Sequence, residues 1–129
     1  MGSRLVAGLI LHLGHAYDII GLGTNVVAAE AMKQAGATRV VVGAQAIASA
    51  ISTADVILGT LNVVLPGAML GEITPEIVTA ILWSGAKKVL LPVNRFQVEV
   101  VGAEEQKLDR LITSSLRRVR SLVAVADSV

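Results

Sequence analysis

Side chains suited to chemistry are few in this sequence, and they gather beside glycine and proline at the ends of short apolar runs. Gly23, Thr24 and Asn25 follow the first run, Gly43 and Gln45 the second, Gly59, Thr60 and Asn62 the third, and Pro92, Asn94 and Arg95 the fourth. Glycine lets a ligand approach the backbone, and Thr, Asn and Gln supply uncharged hydrogen bonds that orient it. Ordinary strand-to-helix turns favour the same residues. Their recurrence at successive run ends points to a ligand crevice, with Gly23, Thr24, Asn25, Gly59, Thr60, Asn62, Asn94 and Arg95 as its binding residues. Asn25 is suited both to capping the helix that follows and to direct contact. Arg95 is suited to a phosphate or carboxylate, and equally to an exposed turn.

Groups that drive catalysis are scarcer. Glu72 stands in apolar surroundings just before a helix start, which makes it a candidate general base or ribose acceptor; the plain alternative is a solvated residue ahead of a helix. The sequence contains no Gly-x-Ser-x-Gly elbow, His-Glu-x-x-His pair, Walker loop or cysteine. His12 and His15 have the spacing of two metal ligands on one helix face, but no nearby carboxylate completes a set, so no metal site is expected. Asp55 opens its run and falls at the edge opposite the crevice. Trp83 suits the core or an interface.

The elements that must position these residues follow from periodicity. Leu5, Val6, Leu9, Ile10 and Leu13 recur at helical spacing, so residues 3–13 read as an amphipathic helix. Strands are expected over 19–22, 39–43, 54–59 and 87–92, with helices over 26–34 and 45–52 between them. Thr74, Pro75 and Glu76 mark a helix start with a hydroxyl cap, proline at the first position and an acid in the positive first turn; that helix runs to about Ser84. Residues 61–71 carry no clear pattern. Val98 to Val101 is expected to add a short antiparallel strand, since its link to the preceding strand is too short for a crossover. A last helix over about 103–123 carries Glu104 and Glu105 at its start and Arg117, Arg118 and Arg120 toward its end, matching its dipole.

Alternation of short strands with helices implies crossovers, and crossovers imply parallel strands with helices on both faces of the sheet. The expected fold is therefore α/β, Rossmann-like, a single domain over 1–129. In such sheets ligands bind outside the carboxyl ends of the strands, which is where the glycine and amide residues fall. An acidic residue at the end of the second strand of a complete doubly wound sheet would favour a dinucleotide; counting a first strand ahead of this sequence, Gly23, Thr24 and Asn25 stand there instead, so ordinary NAD binding is disfavoured and the cofactor is left open.

Composition agrees. Hydrophobic residues make up 53% of the chain and aromatics 2%, so the apolar content is Val, Ile, Leu and Ala, which suits strands buried on both faces. Mean hydropathy is +0.70. The uncharged run from Val56 to Gly71 is broken by Gly59, Pro66 and Gly67 and is too short to span a bilayer, so no membrane role is expected. The amino-terminal residues imitate a signal peptide, with Arg4 ahead of an apolar run, but His12 interrupts that run and a buried helix is preferred. A net charge of +1 with few aromatics gives no footprint for nucleic acid. Absence of cysteine fits the cytoplasm.

The runs GLGTN (21–25), AMKQAGA (31–37), AMLGEITPE (68–76) and AKKVLLPVNR (86–95) resemble a family of short bacterial proteins classed as a domain of unknown function, over about 1–102. The resemblance implies a Rossmann-like fold that begins with a strand and a glycine-rich loop; here only Met1 and Gly2 match the end of that loop. Gly43-Ala44-Gln45 stands where the family has an Asn-containing turn. No activity comes with the resemblance.

Three functions remain: a small-molecule binding domain for a nucleotide or other anionic metabolite, a non-catalytic oligomeric assembly or regulatory subunit, and an enzyme using Glu72 as general base. One structural expectation is sharper. The first strand of a doubly wound sheet is central, and this sequence opens on the helix that follows it. Asp18 to Leu22 and Ala54 to Gly59 should then flank an empty slot. The sequence as written is expected to lack its beginning; the alternatives are a shortened variant, a rearranged strand order, or a partner chain that donates the strand.

Overall fold

Each apolar run with β-branched residues becomes a strand, and each stripe at helical spacing becomes a helix laid against it. In a computed structural model, which describes the backbone of residues 1–127, the order is α1 (Gly2–Leu13), β1 (Ile20–Gly23), α2 (Val26–Gln34), β2 (Arg39–Val42), α3 (Ala44–Ile51), β3 (Val56–Thr60), a 3₁₀ turn (Leu61–Val64), α4 (Pro75–Trp83), β4 (Lys87–Leu91) and α5 (Leu108–Asp127). The fold is mixed α/β with parallel strand pairs. Ile20 is in register with Arg39 in the first pair, and Val56 with Lys87 in the second.

The helices form two layers. On one face Met32 of α2 meets Val6 of α1 and Ile19, while Leu5 of α1 meets Leu91 of β4 and Ile112 and Leu116 of α5. On the other face Ile47 and Ile51 of α3 pack with Ile77 and Ile81 of α4 over Ile57, with Leu22 and Val41 against them. This isoleucine cluster contains Ile51, which is 1% exposed.

Among the described residues β1 pairs only with β2, and β3 only with β4: the strands form two separate two-stranded sheets. β1 and β3, the strands expected to flank a slot, share no ladder. Both pairs nevertheless share their helices. Leu9 of α1 packs against clusters under both pairs, and the isoleucine cluster takes Leu22 from β1, Val41 from β2 and Ile57 from β3.

Three expectations are corrected. Val98 to Val101 forms no strand, because Asn94 closes a tight loop: its Oδ1 accepts from Phe96 N (2.9 Å) and Val98 N (3.0 Å), and its Nδ2 donates to Val98 O (2.8 Å). With Gln97 at φ 58° the chain turns back before a ladder can form. The last helix begins at Leu108 rather than 103, which leaves Glu104 and Glu105 in the preceding connection and the arginines in mid-helix; Asp109 is the acid of its first turn. Of the two places expected for Trp83, core or interface, the core is excluded, since Trp83 is 86% exposed. It ends α4 at the edge from which the strands start.

Candidate functional site

The carboxyl ends of all four strands, and the loops that leave them, lie along one edge. At the end of β1, Asn25 caps α2, its Oδ1 accepting from Ala28 N at 2.9 Å. Its Nδ2 is left free to donate, and it does so to both carboxylate oxygens of Glu72, at 3.3 and 3.4 Å. Two candidates far apart in sequence are thus brought together, and they tie the end of β1 to the loop that follows β3. Glu72 is half-buried.

At the end of β3, Thr60 is buried and its Oγ1 accepts from Asn62 Nδ2 at 3.3 Å. Asn62 Oδ1 is the one buried side-chain oxygen or nitrogen among the described residues that has no hydrogen-bond partner. Buried polar atoms are nearly always satisfied, so an orphan is a place where a ligand group or ordered water would be stabilised. Whichever way the amide is turned, one of its two polar ends meets Thr60 and the other stays unmet.

Two of the glycines at these ends, Gly23 and Gly59, lie against packed neighbours. A Cβ on Gly23 would lie 2.7 Å from Ala29 N, so α2 sits directly on the strand end. A Cβ on Gly59 would lie 3.3 Å from Val63 Cγ1, under the 3₁₀ turn. Asn94 uses its amide to hold its own loop, and Arg95 is exposed in that loop. Asn94 and Arg95 therefore stand in the loop after β4, and neither shares a hydrogen bond or ion pair with Asn25, Glu72, Thr60 or Asn62 among those found for the described residues. Thr24, beside Asn25, is half-buried.

The loop at 65–73 had no pattern in the sequence, and it holds the most unusual backbone. Met69 and Leu70 both take left-handed conformations, at φ 55° and 54°, between Gly67 (91°) and Gly71 (87°). Each left-handed non-glycine residue costs roughly 1–2 kcal/mol. Hydrogen bonds from Gly67 N to Ile73 O (2.8 Å) and Ile73 N to Ala68 O (3.1 Å), with Ala68 fully buried, hold the loop shut. Leu70 is fully exposed at its tip, and Val26 and Val27 are exposed on the first turn of α2. Strain kept at a surface point is a mark of a functional loop. Its signal in the sequence is the pair of glycines that brackets Ala68, Met69 and Leu70 just before Glu72.

Two helix starts at this edge lack side-chain caps: α1, after Met1, and α3, after Gly43, neither with an acid in its first turn. Their free N–H groups leave partial positive charge there. His12 Nδ1 bonds to Gly8 O at 2.9 Å within α1.

Residues 1–124 match the profile of the family described as Domain of unknown function (DUF3842). The chain belongs to this family. The DUF3842 match spans β1 to β4 and reaches into α5, so the Asn25–Glu72 pair, Thr60, Asn62 and the left-handed loop all lie within it. No curated protein and no solved structure matches the chain. No helix among the described residues is long and apolar enough to cross a membrane.

Proposed function

We propose that this DUF3842 protein binds a small molecule, a nucleotide or other anionic metabolite, at the carboxyl edge of its strands. The observation that carries it is the buried, unpartnered end of the Asn62 amide beside Thr60. Open parallel α/β sheets bind ligands at this edge. Here it offers uncapped helix starts for the anion and neutral hydrogen-bonding groups for the rest. Glu72, held by Asn25, is suited to accept from ligand hydroxyls; as a general base in an enzyme it would lose turnover, though not folding, in Glu72→Gln. The protein is taken as cytoplasmic and as no binder of nucleic acid.

The test is a thermal-shift screen of the whole chain against nucleotides and phosphorylated metabolites. A ligand at a hundred times its Kd stabilises by about 2.7 kcal/mol. Asn62→Ala should change the stability of the free protein by less than about 0.5 kcal/mol, because it removes one long hydrogen bond and one unmet polar group together. It should also abolish the ligand's shift. A broad panel without a single shift removes the proposal's support.

A second function, as a non-catalytic assembly or regulatory subunit, is favoured by Leu82 and Trp83, both exposed at the opposite edge. Apolar surface of that kind suits a homo-oligomer contact. Sedimentation showing a strict monomer across micromolar concentrations would dismiss it.

A further inference from the structure

Charge along α5 is divided by position. Glu104 and Glu105 stand in the connection just before the helix, Asp109 is in its first turn, and Arg117, Arg118 and Arg120 come near its middle. The helix dipole explains neither outer cluster, because its effect is confined to the end turns. The two glutamates lie outside the helix, and Arg120 is about two turns short of the end at Asp127. Within the chain these charges have no counterpart. The ion pairs found among the described residues join Arg4 to Asp109 at 2.7 Å and Arg39 to Asp18 at 3.4 Å. Glu104, Glu105, Arg117, Arg118 and Arg120 are in neither pair, and all are exposed. Leu108 and Arg117 are roughly 14 Å apart along the helix, a separation that keeps the acids off the arginines of their own chain.

Apolar side chains stand exposed beside both clusters. Val98, Val100 and Val101 are exposed in the segment just ahead of Glu104, Val101 completely so. At the other cluster the exposed residue is Leu11 of α1. α1 and α5 run side by side in the same direction, since Arg4 bonds to Asp109 and a Cβ on Gly8 would collide with Leu116 further along. Leu11, beyond Gly8, therefore lies toward the arginine end of α5.

We propose that the outer face of α5 docks antiparallel on α5 of a second copy of this chain, as a symmetric dimer. A two-fold interface is self-complementary: where one patch meets another, the reverse contact forms as well. With the helices turned end to end, Glu104 and Glu105 of one protomer lie against the partner's Arg117, the partner's Arg118 and the partner's Arg120, and the same contact forms again at the other end. Val101 then meets the partner's Leu11, which adds apolar area that exposed ion pairs alone do not supply. Parallel pairing would set arginine against arginine, so the charges fix the direction as well as the partner. An unrelated acidic protein would satisfy the arginines and leave Glu104 and Glu105 unmet, whereas a second copy satisfies both. α5 belongs to the helix layer away from α4, so this surface is distinct from Leu82 and Trp83, and it needs no ligand at the carboxyl edge.

Sedimentation equilibrium of the whole chain is the test. The native protein should be a dimer at about 100 μM in roughly 50 mM salt, and its dissociation constant should rise at least about tenfold in roughly 0.5 M salt, where exposed charges are screened. One variant reverses the bases (Arg117→Glu, Arg118→Glu and Arg120→Glu) and a second reverses the acids (Glu104→Lys and Glu105→Lys). Each should weaken the dimer at least about tenfold and keep the native circular dichroism, since every substituted side chain is exposed. The deciding chain carries all of these reversals together. Its clusters have exchanged sign and are complementary once more, so it should dimerise as the native chain does. A native chain that is monomeric under the low-salt conditions, or a fully reversed chain that stays monomeric, overturns the proposal. So does a native dimer that the reversals leave intact, which would place the contact at Leu82 and Trp83 instead.

Discussion

The isoleucine cluster between α3, α4 and β3 and the carboxyl edge above it are a few residues apart in sequence and opposite in character. In the cluster every group agrees with its surroundings: Ile47, Ile51, Ile57, Ile77 and Ile81 are apolar, buried and on regular elements. At the edge, local rules are broken. Met69, Leu70 and Gln97 are left-handed, one amide end has no partner, and valine and leucine face solvent. Stability is made in the first region, and the second holds the departures that natural proteins keep for function.

The contrast predicts a ranking. Ile51→Ala should give the largest loss, about 2–5 kcal/mol, since a fully buried side chain leaves a cavity that its neighbours cannot fill; chemical denaturation measures it, and a loss below 1 kcal/mol would break the contrast. Gly23→Ala sits on the border between the regions. Its new methyl meets the backbone of Ala29, which can give way only by shifting α2, so a loss of about 1–3 kcal/mol is expected. Asn25→Ala removes a helix cap, for about 1 kcal/mol, and also the link to Glu72. Its second effect should appear as faster amide exchange in residues 67–73. Smallest, and of opposite sign, is Leu70→Gly: relief of a left-handed leucine, offset by a freer unfolded chain, should stabilise by roughly 0.5 kcal/mol or leave stability unchanged. A clear loss there would show that the leucine side chain packs against something after all.

The two regions were also unequally legible. The helix over 26–34 with Asn25 as its cap, the start of α4 at Thr74 and Pro75, and the strands β2 and β4 follow from periodicity and capping chemistry that act over a few residues. The loop at 65–73 was opaque because its conformation depends on Ala68 being buried beneath Ile73 and Val78, which no local pattern announces. Val98 to Val101 misled for a related reason. Its valines have strand propensity, but Asn94 claims both backbone groups of Val98, and a side chain to backbone bond nearby outcompetes a ladder that has yet to be found.

What the sequence determined alone was the α/β alternation and the edge at which polar residues collect, since each depends on spacing along the chain and on the rules of crossover connections. Only the tertiary structure decided which candidates meet. Asn25 reaches Glu72 because β1 and the loop after β3 end at the same edge, whereas Asn94 is drawn into its own turn. Asn62 keeps one end of its amide unpaired because Thr60 meets only the other end. Partners of this kind are fixed by distances through space, and residue order constrains those distances only once the strands are in register.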